Sequence, residues 1–172
     1  MTTLQSRAAS AYASVNLESR ASSSGGVDLV ILLIEGVLDR VKLAKAAIAQ
    51  RDIQQKITQL NKALGIIGEG LRAHLDVRSG GEIAQNLDDL YAYCSVRLLQ
   101  ANSKNDVSAL DEIVRLLSPL LDAWVSLRNG GSRDAAAVGQ SLVEVTRSLR
   151  NAVPNVQRMY GSSAYASLAA GA

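Results

Sequence analysis

Phenylalanine is absent from this chain of 172 residues, and tryptophan, histidine and cysteine occur once each. Without phenylalanine, a core has to be assembled from Leu, Ile, Val and Ala, with five tyrosines and one tryptophan as the only rings. One cysteine cannot form an internal disulfide, which fits a reducing compartment. Proline is nearly absent too, with two residues, and this leaves long helices uninterrupted. Charge of one sign is not in excess: 18 Lys and Arg face 16 Asp and Glu, a net +2. That is too small a surplus for a nucleic-acid-binding surface. Long apolar runs are missing as well. The longest, Leu29 to Ile34, has six residues and is closed by Glu35, whereas about twenty are needed to cross a bilayer. The N-terminal MTTLQSRAASAYAS lacks the apolar stretch of a secretory signal. The sequence reading is therefore a soluble, cytoplasmic protein with no membrane insertion and no nucleic-acid partner.

Catalytic chemistry is also sparse. His74 and Cys94 fall on different expected helices. Cys94 lies on an inward stripe, where a buried structural thiol is expected, and His74 lies near a helix end, where a cation suits the helix dipole. A di-iron bundle would need inward Glu-x-x-His pairs, but Leu71 stands three residues before His74. Asp88-Asp89 and Asp111-Glu112 are sequence neighbours, and neighbours do not share a helix face. No metal, no cofactor and no enzymatic activity is expected.

The sequence does contain helical periodicity. Hydrophobic residues make up 48% of the chain, and the Ala- and Leu-rich composition favours an all-α class. The spacing predicts an antiparallel up-down four-helix bundle over residues 27–128. A flexible segment precedes it (1–26), an extra amphipathic helix follows (129–154), and a flexible tail ends the chain (155–172). The first helix, from about Val27 to Gln50, is apolar all round in its first part, as suits a bundle centre. Asp52 with Gln55 reads as a capping box for the second helix. That helix carries Ile53, Ile57, Leu60, Leu64, Ile67, Leu71 and Leu75, a 4-3-4-3 seam. Gly65, Gly68 and Gly70 interrupt it and predict either a close backbone approach or local fraying.

Ser79-Gly80-Gly81 leads to a third helix with the stripe Ile83, Leu87, Leu90, Tyr91, Cys94, Leu98 and Ala101. After the polar turn 102–106, a fourth shows Val107, Leu110, Val114, Leu117, Leu121 and Trp124. Pro119 predicts a kink, or a break capped by Ser118. Beyond Asn129-Gly130-Gly131, the residues Ala135, Val138, Leu142, Val145, Leu149 and Val153 form a fifth stripe, with Ser132 as N-cap and Pro154 as stop. The whole net charge lies beyond residue 131, where four basic residues face two acidic ones. Ala11-Tyr12-Ala13-Ser14 is echoed by Ala164-Tyr165-Ala166-Ser167.

Apolar residues also exceed what one stripe per helix requires. Ile66, Val96, Leu99, Ile113, Leu116 and Leu120 are expected to form second faces. Either a further helix or a second subunit in a homodimer covers them, or they make a groove for a partner's amphipathic segment. A structural, self-assembling bundle is thus the alternative to a binding protein. A basic membrane-surface helix is disfavoured, because the fifth stripe has few cations and neither Trp nor Phe.

From about Ala11 to Trp124 the chain resembles the flagellar export chaperone family, the FliS type. The carriers are Ala11-Tyr12 with Val15; the run Leu29 to Leu38; Asp52 through Asp76, with Lys62-Ala63 and Ile66-Ile67; and the segment Glu82 to Trp124, with its Asn86-Leu87, Leu90-Tyr91, Tyr93, Arg97-Leu98 and Ala101-Asn102. The sequence departs from the family pattern at Gly25-Gly26, at Ile34-Glu35 and in its longer C-terminal end. The resemblance implies a cytoplasmic four-helix bundle without cofactor or catalysis. It further implies binding of the C-terminal segment of flagellin, protection of that segment from polymerising, and presentation to the flagellar export apparatus. By the same resemblance, the segment carrying Tyr12 lies over the binding groove and moves aside.

Overall fold

The computed structural model describes residues 25–129 and Arg147. Its helices are α1 (Gly25–Ala49), α2 (Ile53–Gly65), a π-helical segment (Ile66–Arg72) that continues α2, α3 (Gly81–Lys104) and α4 (Val107–Asn129). The expected all-α class holds. The helices pack in a closed ring: α1 on α2, α2 on α3, α3 on α4, and α4 back on α1.

Short connections impose the antiparallel order. Asp52 caps α2, its carboxylate accepting from the Gln55 amide at 3.0 Å, as its position before an apolar period predicts. The Gln55 side chain, however, accepts from Gln59 Nε2 at 3.1 Å, so the reciprocal half of a capping box is not formed. Between α3 and α4 only Asn105 and Asp106 lie outside helix, a tighter turn than the five polar residues suggest. Asn105 adopts a left-handed conformation with φ 52°, which asparagine tolerates better than most residues. Asp106 then accepts from Ser108 Oγ at 2.7 Å and from the Ala109 amide at 3.2 Å.

Lys56 locks this end of the bundle. It is buried, and its ammonium donates to the Asn102 carbonyl at 2.8 Å and to Asn105 Oδ1 at 2.7 Å. The start of α2 is thereby fixed to the end of α3. Lys45 pairs with Asp111 and holds the end of α1 to the start of α4. At the opposite end Arg128 pairs with Asp28 at 3.7 Å, and Arg72 holds Asp88 through two contacts of 2.7 and 3.2 Å. The connection at that end is longer, residues 73–80, and turns through Gly81 at φ +57°.

The core is aliphatic, as a chain without phenylalanine requires. Ile34, Val37, Val41 and Ala44 of α1 meet Leu60, Ala63, Ile67 and Leu71, then Leu87, Leu90, Tyr91, Cys94 and Leu98, then Leu110, Ile113, Leu117 and Leu120. The α3 stripe is buried as expected, with Ile83 half-buried at its start.

Four sequence expectations are corrected. The all-round apolar start of α1 is not buried all round, since Leu32 is 60% exposed. Ile53 opens α2 at the end of the bundle, with too few neighbours to cover it, and is 63% exposed. Pro119 neither breaks α4 nor calls for a cap at Ser118. Its ring lies on the exposed side, where the Arg115 carbonyl it leaves without an amide is near water, and Ser118 Oγ donates instead to the Val114 carbonyl at 2.7 Å. The buried arc of α4 is also turned relative to its expected stripe. Ala109, Ile113, Leu116 and Leu120 join Leu110 and Leu117 inside, while Val114, Leu121 and Trp124 are half-buried. The cause is that α4 touches both α1 and α3, so its buried arc is wider than one stripe.

The glycines of the second helix prove to have different roles. A Cβ on Gly70 would stand 3.0 Å from Leu33 Cδ2, so this glycine permits close approach to α1. Gly65 and Gly68 face open space, and the backbone there widens to the π register, Ala73 donating to the Gly68 carbonyl at 3.1 Å.

Lys56→Met is expected to lower stability by about 1–3 kcal/mol, since the Asn102 and Asn105 acceptors are left unpaired. Urea denaturation checks this, with Lys62→Met, an exposed lysine of the same helix, expected to change little.

Candidate functional site

The directions of the ion pairs fix how each helix faces solvent. On α3, Asp88 points toward the π segment through Arg72. Tyr93 and Arg97 point toward α4, where Tyr93 Oη donates to Glu112 at 2.6 Å and Arg97 pairs with Glu112 at 2.7 Å. Burial first, and then this carboxylate, raise the Tyr93 pKa above the ordinary phenol value, so the hydroxyl remains a donor. The face of α3 between these two directions, away from the core, carries Val96 and Leu99. Val96 is half-buried and Leu99 is 38% exposed.

A second apolar surface lies on α1. Leu32 and Leu43, 60% and 47% exposed, are eleven residues apart and so stand on one side three turns apart. Gly36, one turn after Leu32, lies under Ile66, and a Cβ there would be 3.4 Å from Ile66 Cδ1. Ile66 is half-buried and belongs to the seam between α1 and the π segment. The two surfaces belong to helices on opposite corners of the ring.

The six second-face residues expected from the sequence therefore divide. Ile66, Val96 and Leu99 reach the surface. Ile113, Leu116 and Leu120 are core residues at 0%, 7% and 0% exposure, because α4 is enclosed by two neighbours. As the protein stands, those three are not an uncovered face. Tyr12 lies outside the described residues. Leu32 was missed because the run Leu29–Ile34 reads as wholly internal, and Leu43, nine residues beyond that run, belongs to no stripe that the sequence singles out. The signal that could have found them is the charged company they keep, Glu35, Asp39 and Lys42 lying within a turn of one or the other.

The reactive groups do not converge. Cys94 is fully buried, and burial pushes its thiol up to about 12. His74 is exposed at the far end of the π segment, its Nδ1 2.8 Å from the Gly70 carbonyl. Among the described residues no group of His, Cys, Asp and Glu could hold a metal ion. No described helix is long and apolar enough to cross a membrane.

Two outcomes follow from burial. Leu116→Glu places an unpaired charge in the core and is expected to abolish the cooperative thermal transition. Leu99→Glu and Leu32→Glu are expected to leave it within a few degrees of the parent. Cys94 is protonated in the fold, so its contribution to stability is complete below the unfolded thiol value of 9.0 and declines as pH rises from there toward about 12. The stability difference between the parent and Cys94→Ala, measured by urea denaturation at pH 8 and pH 10, should shift against the parent at the higher pH.

The family described as Flagellar protein FliS matches residues 8–130. The flagellar secretion chaperone FliS of Salmonella typhimurium is 43% identical over 114 residues, covering 66% of this chain and 84% of that protein. The flagellar secretion chaperone FliSB of Pseudomonas aeruginosa is 42% identical over 113 residues, covering 66% and 89%. The Bacillus subtilis FliS chaperone is 33% identical over 97 residues, covering 56% and 71%. The matched region takes in the whole helical ring with both of its apolar surfaces, and the chain belongs to the FliS family of flagellar secretion chaperones.

Proposed function

We propose that this chaperone binds the C-terminal segment of flagellin in the cytoplasm, one to one. It holds that segment back from polymerisation and presents the subunit to the flagellar export apparatus. The reading is supported by family membership across the whole bundle, together with large apolar side chains left on two outer faces, Leu32 and Leu43 on α1 and Leu99 on α3. A segment destined to pack into a filament carries apolar faces of its own, and such faces match exposed leucines better than they match water.

Because the two surfaces lie on opposite corners of the ring, the client suits an extended segment that wraps the bundle. Ile66, Val96 and Leu99 are the proposed contacts among the residues the sequence singles out, with Leu32 and Leu43 added by the structure. Tyr12 keeps the role the resemblance implies, a displaceable cover tethered close to the bundle, where high effective concentration favours even a weak contact.

Purified protein mixed with flagellin at micromolar concentration should elute as a one-to-one complex in size exclusion with light scattering. Separate elution would refute the reading. A stable homodimer with no affinity for flagellin would favour the self-assembling alternative. Leu32→Glu and Leu99→Glu should each weaken flagellin binding about tenfold or more in calorimetric titration, which is about 1.4 kcal/mol per tenfold, with the melting temperature preserved.

A further inference from the structure

Five glycines stand from Gly65 to Gly81, and the fold requires only three of them. A Cβ on Gly70 would press on Leu33 at 3.0 Å, and one on Gly80 would meet the Ala84 Cβ at 2.5 Å and the Asp76 carbonyl at 2.8 Å. Gly81 holds a φ of +57°. Gly65 and Gly68 are different. Neither has a positive φ, Gly65 is helical at φ −60° and ψ −45°, and a Cβ on either would meet nothing within 4 Å. Alanine would fit both places. Glycine inside a helix favours the locally opened chain over the folded one, by about two- to fivefold per residue relative to alanine. The pair therefore softens the end of α2 without serving its packing.

What the pair softens is a seam of interlocked side chains. Ile66 of the π segment lies on Gly36 of α1, and Leu33 of α1 lies on Gly70 of the π segment. Each side chain fills the notch left by the other helix's glycine. Hydrogen bonding is loosened at the same place. The Ile66 amide is shared between the Lys62 and Ala63 carbonyls, and the Ala73 amide reaches five residues back to Gly68. Beyond it, residues 73–74 and 76–82 are exposed. A segment of wider register with few covering neighbours opens more readily than the core. Its far side stays attached, through Arg72 on Asp88 and through the buried Ile67 and Leu71.

We propose that the π segment is a gate on the α1 side of the bundle. Transient opening of residues 65–72 lifts Ile66 off Gly36 and frees Leu33 from Gly70, and the client binds the opened seam. Closed, this level of α1 shows one exposed leucine, Leu32, with Leu33 and Ile66 half-buried. Open, Leu32, Leu33 and Ile66 form one apolar surface, with the Gly36 and Gly70 backbones as notches for a partner's side chains. That larger surface stays hidden while no client is present, which limits association between copies. The gate's use rests on the reading of flagellin as client. Binding then draws on the open fraction of the free protein, and the apparent affinity scales with that fraction. Gly65 and Gly68 give up some stability of the closed state for access to the seam.

Gly65→Ala combined with Gly68→Ala in the full chain tests the gate. In the parent, the amides of residues 66–73 should exchange hydrogen well ahead of residues 90–98 and 110–120. In the double variant their exchange should slow about tenfold, the product of the two glycine effects, and the melting temperature should hold or rise. Flagellin affinity in calorimetric titration should fall by the same factor, so that a variant no less stable binds less well. Exchange at 66–73 as slow as in the core of the parent, or unmoved by the two alanines, would overturn the proposal. So would a lower melting temperature, since the fold itself would then need these glycines, and so would slowed exchange with unchanged or tighter binding. Leu99→Glu, on α3, should weaken binding with exchange at 66–73 unaltered, which separates the gate from the client surface. A parent without affinity for flagellin would refute the client reading and not the opening, which exchange in the free chain decides by itself.

Discussion

The buried ammonium of Lys56 is the constraint on which the layout of this molecule depends. A charge brought out of water needs partners, and the two that Lys56 has are the last-turn carbonyl of Asn102 and the side chain of the left-handed Asn105. Those partners exist only if α3 stops at Lys104 and α4 starts after a turn of two residues. One cation on α2 therefore specifies the length of α3, the tightness of the next turn and the antiparallel order of three helices. It also makes the ends of the bundle unequal. All the tight closure is gathered at one end, and the long connection, the π segment and the start of the C-terminal extension fall at the other.

A core without phenylalanine must fill space with branched aliphatics and bring backbones close where side chains are small. Ala44, Ala63, Ala101 and Ala109 are fully buried, and Gly70 lets Leu33 lie against backbone. The π segment fits the same need. Within the widened turn Ile66–Arg72, Ile67 and Leu71 face the core while Arg72 reaches Asp88. A regular α-helical seam through Leu75, as the 4-3-4-3 spacing suggests, does not survive this change of register. Local spacing describes one helix, whereas the register change answers to contacts with α1 and α3 together.

What was legible in the sequence follows the same division. The α3 stripe was readable because every member of it meets the core, and the Asp52 cap because it is a local event within three residues. The orientation of α4 was not, because its second neighbour is α1, some eighty residues earlier in the chain, and a period of 3.6 cannot report whether one or two partners cover a helix. Hence Ile113, Leu116 and Leu120 read as surplus when they are core. Leu32 read as core when it is surface, since a continuous apolar run has no phase from which to assign an outward residue. A leucine such as Leu32, inside an unbroken apolar run yet on the surface, is therefore among the hardest to find from pattern alone.

Had the surplus apolar residues lain on α4, one covering segment could have hidden them all. Instead they lie on α1 and α3, two helices that do not adjoin in the ring, and each exposed leucine has charged residues close by: Glu35 and Asp39 on α1, Arg97 on α3. Charged neighbours limit the size of each apolar patch and so restrain unspecific association of copies. A partner able to gain from both patches must be long enough to pass from one corner to the other, and must present apolar groups at two separated places along its length. On the proposed reading, that requirement favours an unfolded or helical segment over a globular surface.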